Sequence, residues 1–258
     1  MLKSSLIDYC EKLYKDWLND ELGGADILDK KFLMDHLPEP YLQFETANNP
    51  LYVLTTNPGK GREFQNRESI RSKSSFISCG DQYIEIAFKL GEYYRNKLEG
   101  KPLNRIEGFL YLAKKIGNDG VVQLESCPFH SAKLPNKTEL IPYYETEPLL
   151  KEYATCLQKS ILNLNILALS AVNSKKDISV ESITSNPWLE WQAHLMGFNF
   201  ERVQSIPLTK KTTRVTSALI YSQEKSGLTK GFILMMGSNN LPHKNHLGPV
   251  VKVWTERN

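Results

Sequence analysis

The chain has 258 residues, enough to bury a substantial core in one large domain or two small ones. Hydrophobic residues make up 41% and charged residues 24%, which is ordinary for a globular protein, and a formal net charge of +3 permits a nucleic-acid partner without arguing for one. No apolar stretch reaches the roughly 18 residues of a membrane helix, and the acids and bases spread through residues 1 to 22 exclude the apolar core of a signal peptide.

In chain order, Leu6, Tyr9, Cys10, Leu13, Trp17 and Leu18 fall at helical spacing, and the helix is expected to stop at Gly23-Gly24. "HLPEPYL" reads as a proline-punctuated loop leading to a first strand over residues 51 to 55. Residues 60 to 80 are polar and basic without periodicity, the pattern of an ordered functional loop. "DQYIEIAFKLGEYYRNKL" and "NRIEGFLYLAKKIG" read as helices, and residues 121 to 126 as a second strand closed by a proline. "EPLLKEYATCLQKSILNL" predicts a third long helix and "NILALSAV" the strand after it. A further helix is expected to start at Asn186-Pro187, with proline at its first position. Strand candidates follow at 200 to 206, 215 to 222 and 231 to 236.

Strands alternating with helices imply a largely parallel sheet with helices on both faces. Repeats, low-complexity segments and composition breaks are absent, so one α/β domain over residues 1 to 258 is the economical organisation. It would carry a helical extension over about residues 1 to 35 and an inserted hairpin at about 205 to 230. Cys10, Cys79, Cys127 and Cys156 are widely spaced and match no zinc pattern, so free thiols in a cytoplasmic protein are expected, with no structural metal.

Ligands of such sheets sit at the carboxyl ends of the strands, which directs attention to "TNPGKG", "ESCPFHSAKLPNK" and "GSNNLPHKN". Alone, Asn-Pro-Gly is common turn chemistry. A phosphate-binding loop of the GxxxxGK(S/T) kind is not matched, because Gly61 and Arg62 follow Lys60.

Taken together, the three loops resemble the motifs of the uracil-DNA glycosylase superfamily, most of all its mismatch-specific and single-strand-selective branches. The first family motif, G-(I/M)-N-P-G after a strand, corresponds to Thr55-Thr56-Asn57-Pro58-Gly59. The second, N-Y-C-P with a following G-K-N, corresponds to Glu125-Ser126-Cys127-Pro128 and Leu134-Pro135-Asn136-Lys137. "GSNNLP" stands where the family has H-P-S-P-R-N or N-P-S-G-L-S. The resemblance spans roughly residues 35 to 250. It implies a three-layer α/β/α sandwich with a four-stranded parallel central sheet, to which the hairpin near the C-terminus would be an addition.

The implied chemistry is hydrolysis of an N-glycosidic bond through an oxocarbenium-like transition state, with the base flipped into a pocket. Asn57, held by Pro58, would position the attacking water, with Thr56 beside it. Phe76, or second to it Phe64, would stack on the base, although either ring is equally a core residue. Gly59 would leave space at C5 of the pyrimidine where stringent uracil enzymes carry an aromatic; it also suits a turn with positive φ. Ser126 would line the same pocket.

Glu125 departs from the family pattern, which has Asn there to read uracil. A carboxylate accepts from the N4–H₂ of cytosine, and burial would raise its pKa so that a neutral form could assist departure of the base. The competing reading is a salt-bridged loop residue.

In the third motif the family histidine aligns with Gly237. Ser238, Asn239 and Asn240 would bind phosphate, Leu241 would wedge into the stack, His243 would substitute for the missing histidine from a displaced position, and Lys244 would contact the DNA. His130 is a further candidate, set against an ordinary surface histidine. Lys60, Arg62, Arg67, Arg71, Lys73, Lys133, Lys137, Lys210, Lys211, Arg214 and Lys244 fall in loops at the strand ends, where they would form a phosphate-tracking rim or a plain solvated surface.

With no lysine at an obvious nucleophile position, the expectation is a monofunctional DNA glycosylase that leaves an abasic site. It would need no cofactor and no obligate protein partner. Antiphage enzymes similar to this branch remove glucosylated hydroxymethylcytosine from phage DNA, which makes a C5-modified cytosine the expected substrate. A uracil or mismatch repair enzyme is the alternative within the class, and a non-catalytic DNA- or nucleotide-binding protein the alternative outside it.

Overall fold

Helix α1 (Ser4–Asn19) forms where the apolar residues recur at helical spacing, and Leu6, Tyr9, Cys10, Leu13, Tyr14 and Trp17 are buried. It ends four residues before the expected Gly23-Gly24, because Asp20 takes a left-handed conformation (φ 65°) that an aspartate tolerates. The computed structural model describes residues 4–22, 26–56, 58–77, 82–96, 104–132, 140–161, 164, 166–173, 203–207, 215–221, 230–236 and 247–256.

After α2 (Asp26–Lys31) comes a short strand β1 (Tyr41–Gln43), which sequence analysis placed in a loop. The first expected strand is β2 (Pro50–Thr55), apolar or β-branched along its length and buried at every position. The segment expected as an ordered loop over residues 60 to 80 contains regular structure in its described part, residues 60 to 77. It holds a 3₁₀ turn at Glu63–Gln65 and a short helix α3 (Arg67–Arg71), whose N-cap Asn66 accepts from the Glu68 N–H. These elements are shorter than the window over which helical periodicity can be read.

Helices α4 (Tyr83–Arg95) and α5 (Asn104–Lys115) lead into β3 (Gly120–Glu125). Then follow α6 (Tyr143–Thr146), α7 (Pro148–Ile161) and β4 (Ile166–Asn173). Strands β5 (Val203–Pro207), β6 (Val215–Tyr221) and β7 (Lys230–Met236) precede a last helix α8 (Gly248–Thr255). The helix expected from Asn186-Pro187 lies outside the described residues.

The seven described strands join one mixed sheet in the order β1-β3-β2-β4-β7-β6-β5. The α/β class stands, but the sheet is not the expected four-stranded parallel one. Neighbours β3, β2, β4 and β7 run parallel. Strand β1 adds to β3 antiparallel at one edge, and β6 and β5 extend the other edge antiparallel. The physical reason lies in the connections: residues 208–214 and 222–229 are too few for the dozen or more that a parallel crossover needs.

Among the described residues no helix is long and apolar enough to cross a membrane. Cys10 and Cys127 are buried, Cys156 is half-buried, and all three are free.

Helix α4 packs directly on β1, and Gly91 makes this contact: a Cβ there would lie 1.9 Å from the Gln43 carbonyl oxygen. Glycine inside a helix ordinarily costs about 1 kcal/mol relative to alanine. Here the sign reverses. Gly91→Ala is expected to destabilise the protein by about 1–3 kcal/mol in urea denaturation, since backbone must shift to admit the methyl group.

Candidate functional site

Because β3, β2, β4 and β7 are parallel, their last residues Glu125, Thr55, Asn173 and Met236 share one edge of the sheet. The first and second loops leave this edge side by side and are joined by backbone hydrogen bonds. Ser126 N–H donates to the Thr55 carbonyl (2.8 Å), Cys127 N–H to Thr56 (2.9 Å) and Ser131 N–H to Gly59 (2.8 Å). The Ser126 hydroxyl also donates to the Thr55 carbonyl at 2.8 Å, and its side chain is fully buried. Ser126 therefore belongs to the seam rather than to an open pocket wall. Thr56 and Pro58 are half-buried beside it. The third loop starts at the same edge, after Met236. Asn57, Lys133, Lys137, Ser238, Asn239, Asn240, Leu241, His243 and Lys244 lie outside the described residues.

Glu125 is not a loop residue. It is the last residue of β3, 1% exposed, and its Oε1 accepts from Gln123 Nε2 at 2.5 Å. The two side chains share one face of the strand, as residues two apart must. Tyr153 Oη donates to the Glu125 carbonyl and to Pro40 (3.1 Å), and Tyr144 Oη donates to the Ser126 carbonyl (2.6 Å). Burial raises both tyrosines well above their ordinary pKa, so they act as neutral donors. Burial likewise pushes the Cys127 thiol up to about 12, which excludes it as a nucleophile near neutral pH.

A second buried carboxylate was missed by sequence analysis. Glu39, between two prolines just before β1, is 2% exposed. Its Oε1 accepts from Gln65 Nε2 and lies 3.3 Å from His130 Nε2 and 3.5 Å from Tyr94 Oη. The only sequence signal was an acid flanked by prolines in an otherwise apolar stretch.

His130 is not a surface residue but is 1% exposed, with Nδ1 3.2 Å from the Gly59 carbonyl. Burial acts to lower its pKa. The charge and hydrogen bond of Glu39, the Gly59 carbonyl and the charge of Glu125 outweigh that and hold it above the ordinary histidine value.

The two glycines of the first loop differ. Gly59 has φ +80° and an added Cβ would meet nothing within 4 Å, so the turn requires glycine and the space beside it is open as well. At Gly61 a Cβ would lie 2.1 Å from the His36 ring.

Phe64 and Phe76 come together, with ring centroids 4.9 Å apart, and both pack on Tyr93 of α4, which sequence analysis did not single out. Phe64 is half-buried and Phe76 is 46% exposed, so Phe76 presents the accessible ring.

Of the expected basic rim, Lys60, Arg62 and Lys73 are exposed, and Lys210, Lys211 and Arg214 lie outside the described residues. Arg67 instead pairs with Asp20, donates to the Met34 carbonyl (3.0 Å) and lies over the Trp17 ring at 5.3 Å. Arg71 Nε donates to the Leu18 carbonyl at 2.8 Å. Both arginines tie α3 to the end of α1, because a planar guanidinium satisfies several carbonyls and a ring face at once. Among the described residues no group of three or more His, Cys, Asp or Glu is placed to hold a metal ion.

The raised folded-state pKa of His130 makes stability depend on pH. The imidazolium contributes in full below about pH 6.5, and that contribution is lost as the pH rises through the higher folded value. Urea denaturation at intervals from about pH 5 to about pH 9 should show this decline in the wild type and its absence in His130→Gln. Glu39→Gln, which strips one partner from a buried pair, is expected to cost about 3–5 kcal/mol below that window.

No protein-family model, no curated protein and no solved structure matches this chain.

Proposed function

We propose that the protein is a monofunctional DNA glycosylase that hydrolyses the N-glycosidic bond of a flipped-out pyrimidine. The favoured base is a C5-modified cytosine, such as glucosylated hydroxymethylcytosine in phage DNA, and the role is antiviral defence. In this reading β3, β2, β4 and β7 are the parallel core of a three-layer α/β/α sandwich of the uracil-DNA glycosylase kind, and β5–β6 is an addition to it. The observation that carries the proposal is the seam between the Thr55–Gly59 and Glu125–Ser131 segments at the carboxyl edge of parallel strands, with a buried carboxylate ending β3.

Each part of that edge has a task in the reaction. Asn57 places a water beneath C1′ by its side-chain amide, and since an amide is a weak base, much of the rate comes from departure of the base. Glu125 meets the Watson–Crick edge of cytosine as an acceptor for N4–H₂. The open space at Gly59 admits a C5 substituent, and Phe76 supplies an accessible ring for stacking. Lys60 and Arg62 meet the phosphate backbone, together with Lys133, Lys137 and the loop from Ser238 to Lys244.

A non-catalytic DNA-binding protein on the same fold is the second reading. The observation favouring it is the depth of Glu125, 1% exposed and already bonded to Gln123, which gives that carboxylate a role in packing without any substrate.

An abasic-site assay on DNAs carrying uracil, cytosine, 5-hydroxymethylcytosine or glucosylated 5-hydroxymethylcytosine decides between them. The expected result is excision of the modified cytosines alone. Glu125→Asn should abolish this, and Asn57→Ala should lower excision by about 100-fold or more while leaving DNA binding intact. Excision of uracil alone would make the protein a repair glycosylase. Stable DNA binding with no abasic product on any of the four would favour the non-catalytic reading.

A further inference from the structure

The partners of Glu39 lie at both ends of one short segment, residues 59 to 62. At one end the Gly59 carbonyl accepts from His130 Nδ1 (3.2 Å) and from the Ser131 N–H (2.8 Å). At the other, the Arg62 N–H donates to Gln65 Oε1 at 2.8 Å. Gln65 Nε2 and His130 Nε2 then converge on the same oxygen of Glu39. The two nitrogens are 3.4 Å apart, a spacing that suits two donors sharing an acceptor and equally an amide donating to a neutral ring. Between the two ends, Gly61 lies directly against the His36 ring.

Two of its partners, the Gly59 carbonyl and the Glu39 carboxylate, favour a charged His130 ring. Nδ1 faces a carbonyl, which only accepts, and Nε2 faces a carboxylate, which only accepts while ionised. A neutral imidazole has one N–H and satisfies one of them; the imidazolium satisfies both.

We propose that Glu39 and His130 are positioning residues, which hold the first loop in register with the second while His130 carries both ring protons. The proposal rests on the glycosylase reading only for what the loop does. The charged and titratable groups around His130 are Glu39, Glu125, Tyr94 through the shared Glu39 oxygen, and His36, whose ring lies 5.9 Å away and is bonded to Asp35. Both carboxylates favour the charged ring. Excision should therefore fall as the pH rises through the His130 titration, because the clamp loses one of its two His130 protons, towards Glu39 or towards the Gly59 carbonyl.

The test uses the full chain labelled with ¹⁵N and NMR from about pH 5 to about pH 9, a range spanning the ordinary histidine value. Both ring nitrogens of His130 should carry protons at neutral pH, and the backbone amides of Gly59 and Ser131 should titrate with the same midpoint. Glu39→Gln should lower that midpoint and, with the substrate identified by the abasic-site assay, reduce kcat at least tenfold with KM little changed. A His130 ring that is neutral at pH 7 would overturn the proposal. So would Gly59 and Ser131 amides that ignore its titration, or a folded Glu39→Gln with full kcat. If no DNA in the panel is excised, the glycosylase reading fails, and the NMR titration alone judges whether the clamp exists.

Discussion

A carboxylate taken out of water costs several kcal/mol even after the protein relaxes around it, unless attraction and hydrogen bonds make good the loss. Glu39 meets that constraint with Gln65 from a 3₁₀ turn, Tyr94 from α4 and His130 from the second loop. Satisfying one buried charge thus fixes three separately folded segments relative to each other. The flanking prolines matter as well. With no N–H to place, Pro40 contributes only a carbonyl, and it accepts from the Glu125 N–H (3.0 Å) and the Tyr153 hydroxyl (3.1 Å). The segment before β1 therefore caps the same strand end at which the two loops meet.

The rest of the edge is built on strand termini, whose positions are set by the sheet. Thr55 and Glu125 are paired in register across β2 and β3, so the loops that follow begin from a fixed offset. Register irregularities in the β4–β7 and β6–β7 pairs fall towards the same end, between Ser170 and Asn173 and between Val215 and Ser217. Such bulges bend a strand and re-aim the chain that leaves it. The structural investment in this edge is heavier than a set of corners requires, and it includes two buried carboxylates, a buried histidine and two buried tyrosine donors.

Charge and aromatic character divide differently from their order in the chain. Within one stretch of residues 60 to 77, Lys60 and Arg62 face solvent, Arg67 and Arg71 secure α3 to α1, and Phe64 and Phe76 stack on Tyr93. Composition alone gives these four cations, and Lys73 with them, the same weight. What separates them is whether carbonyls and a ring face lie within reach, and that depends on α1, far away in sequence.

The sequence by itself determined the elements whose signal is local. The periodicity of α1, α4, α5 and α7, the apolar runs of β2 and β4, and the turn chemistry of Pro58-Gly59 depend on neighbours within a few residues, and each was legible. It also marked Glu125 and the first two loops as a pair worth comparing. Only the tertiary structure decided the pairing of β1, the docking of the expected hairpin on β7 through β6, and the meeting of Glu39, Gln65 and His130. Those three are 26 to 91 residues apart, and a hydrogen bond between such positions leaves no period in the chain. Burial is what turns them from ordinary polar residues into a network, and burial is a property of the packed sheet edge, not of any segment that forms it.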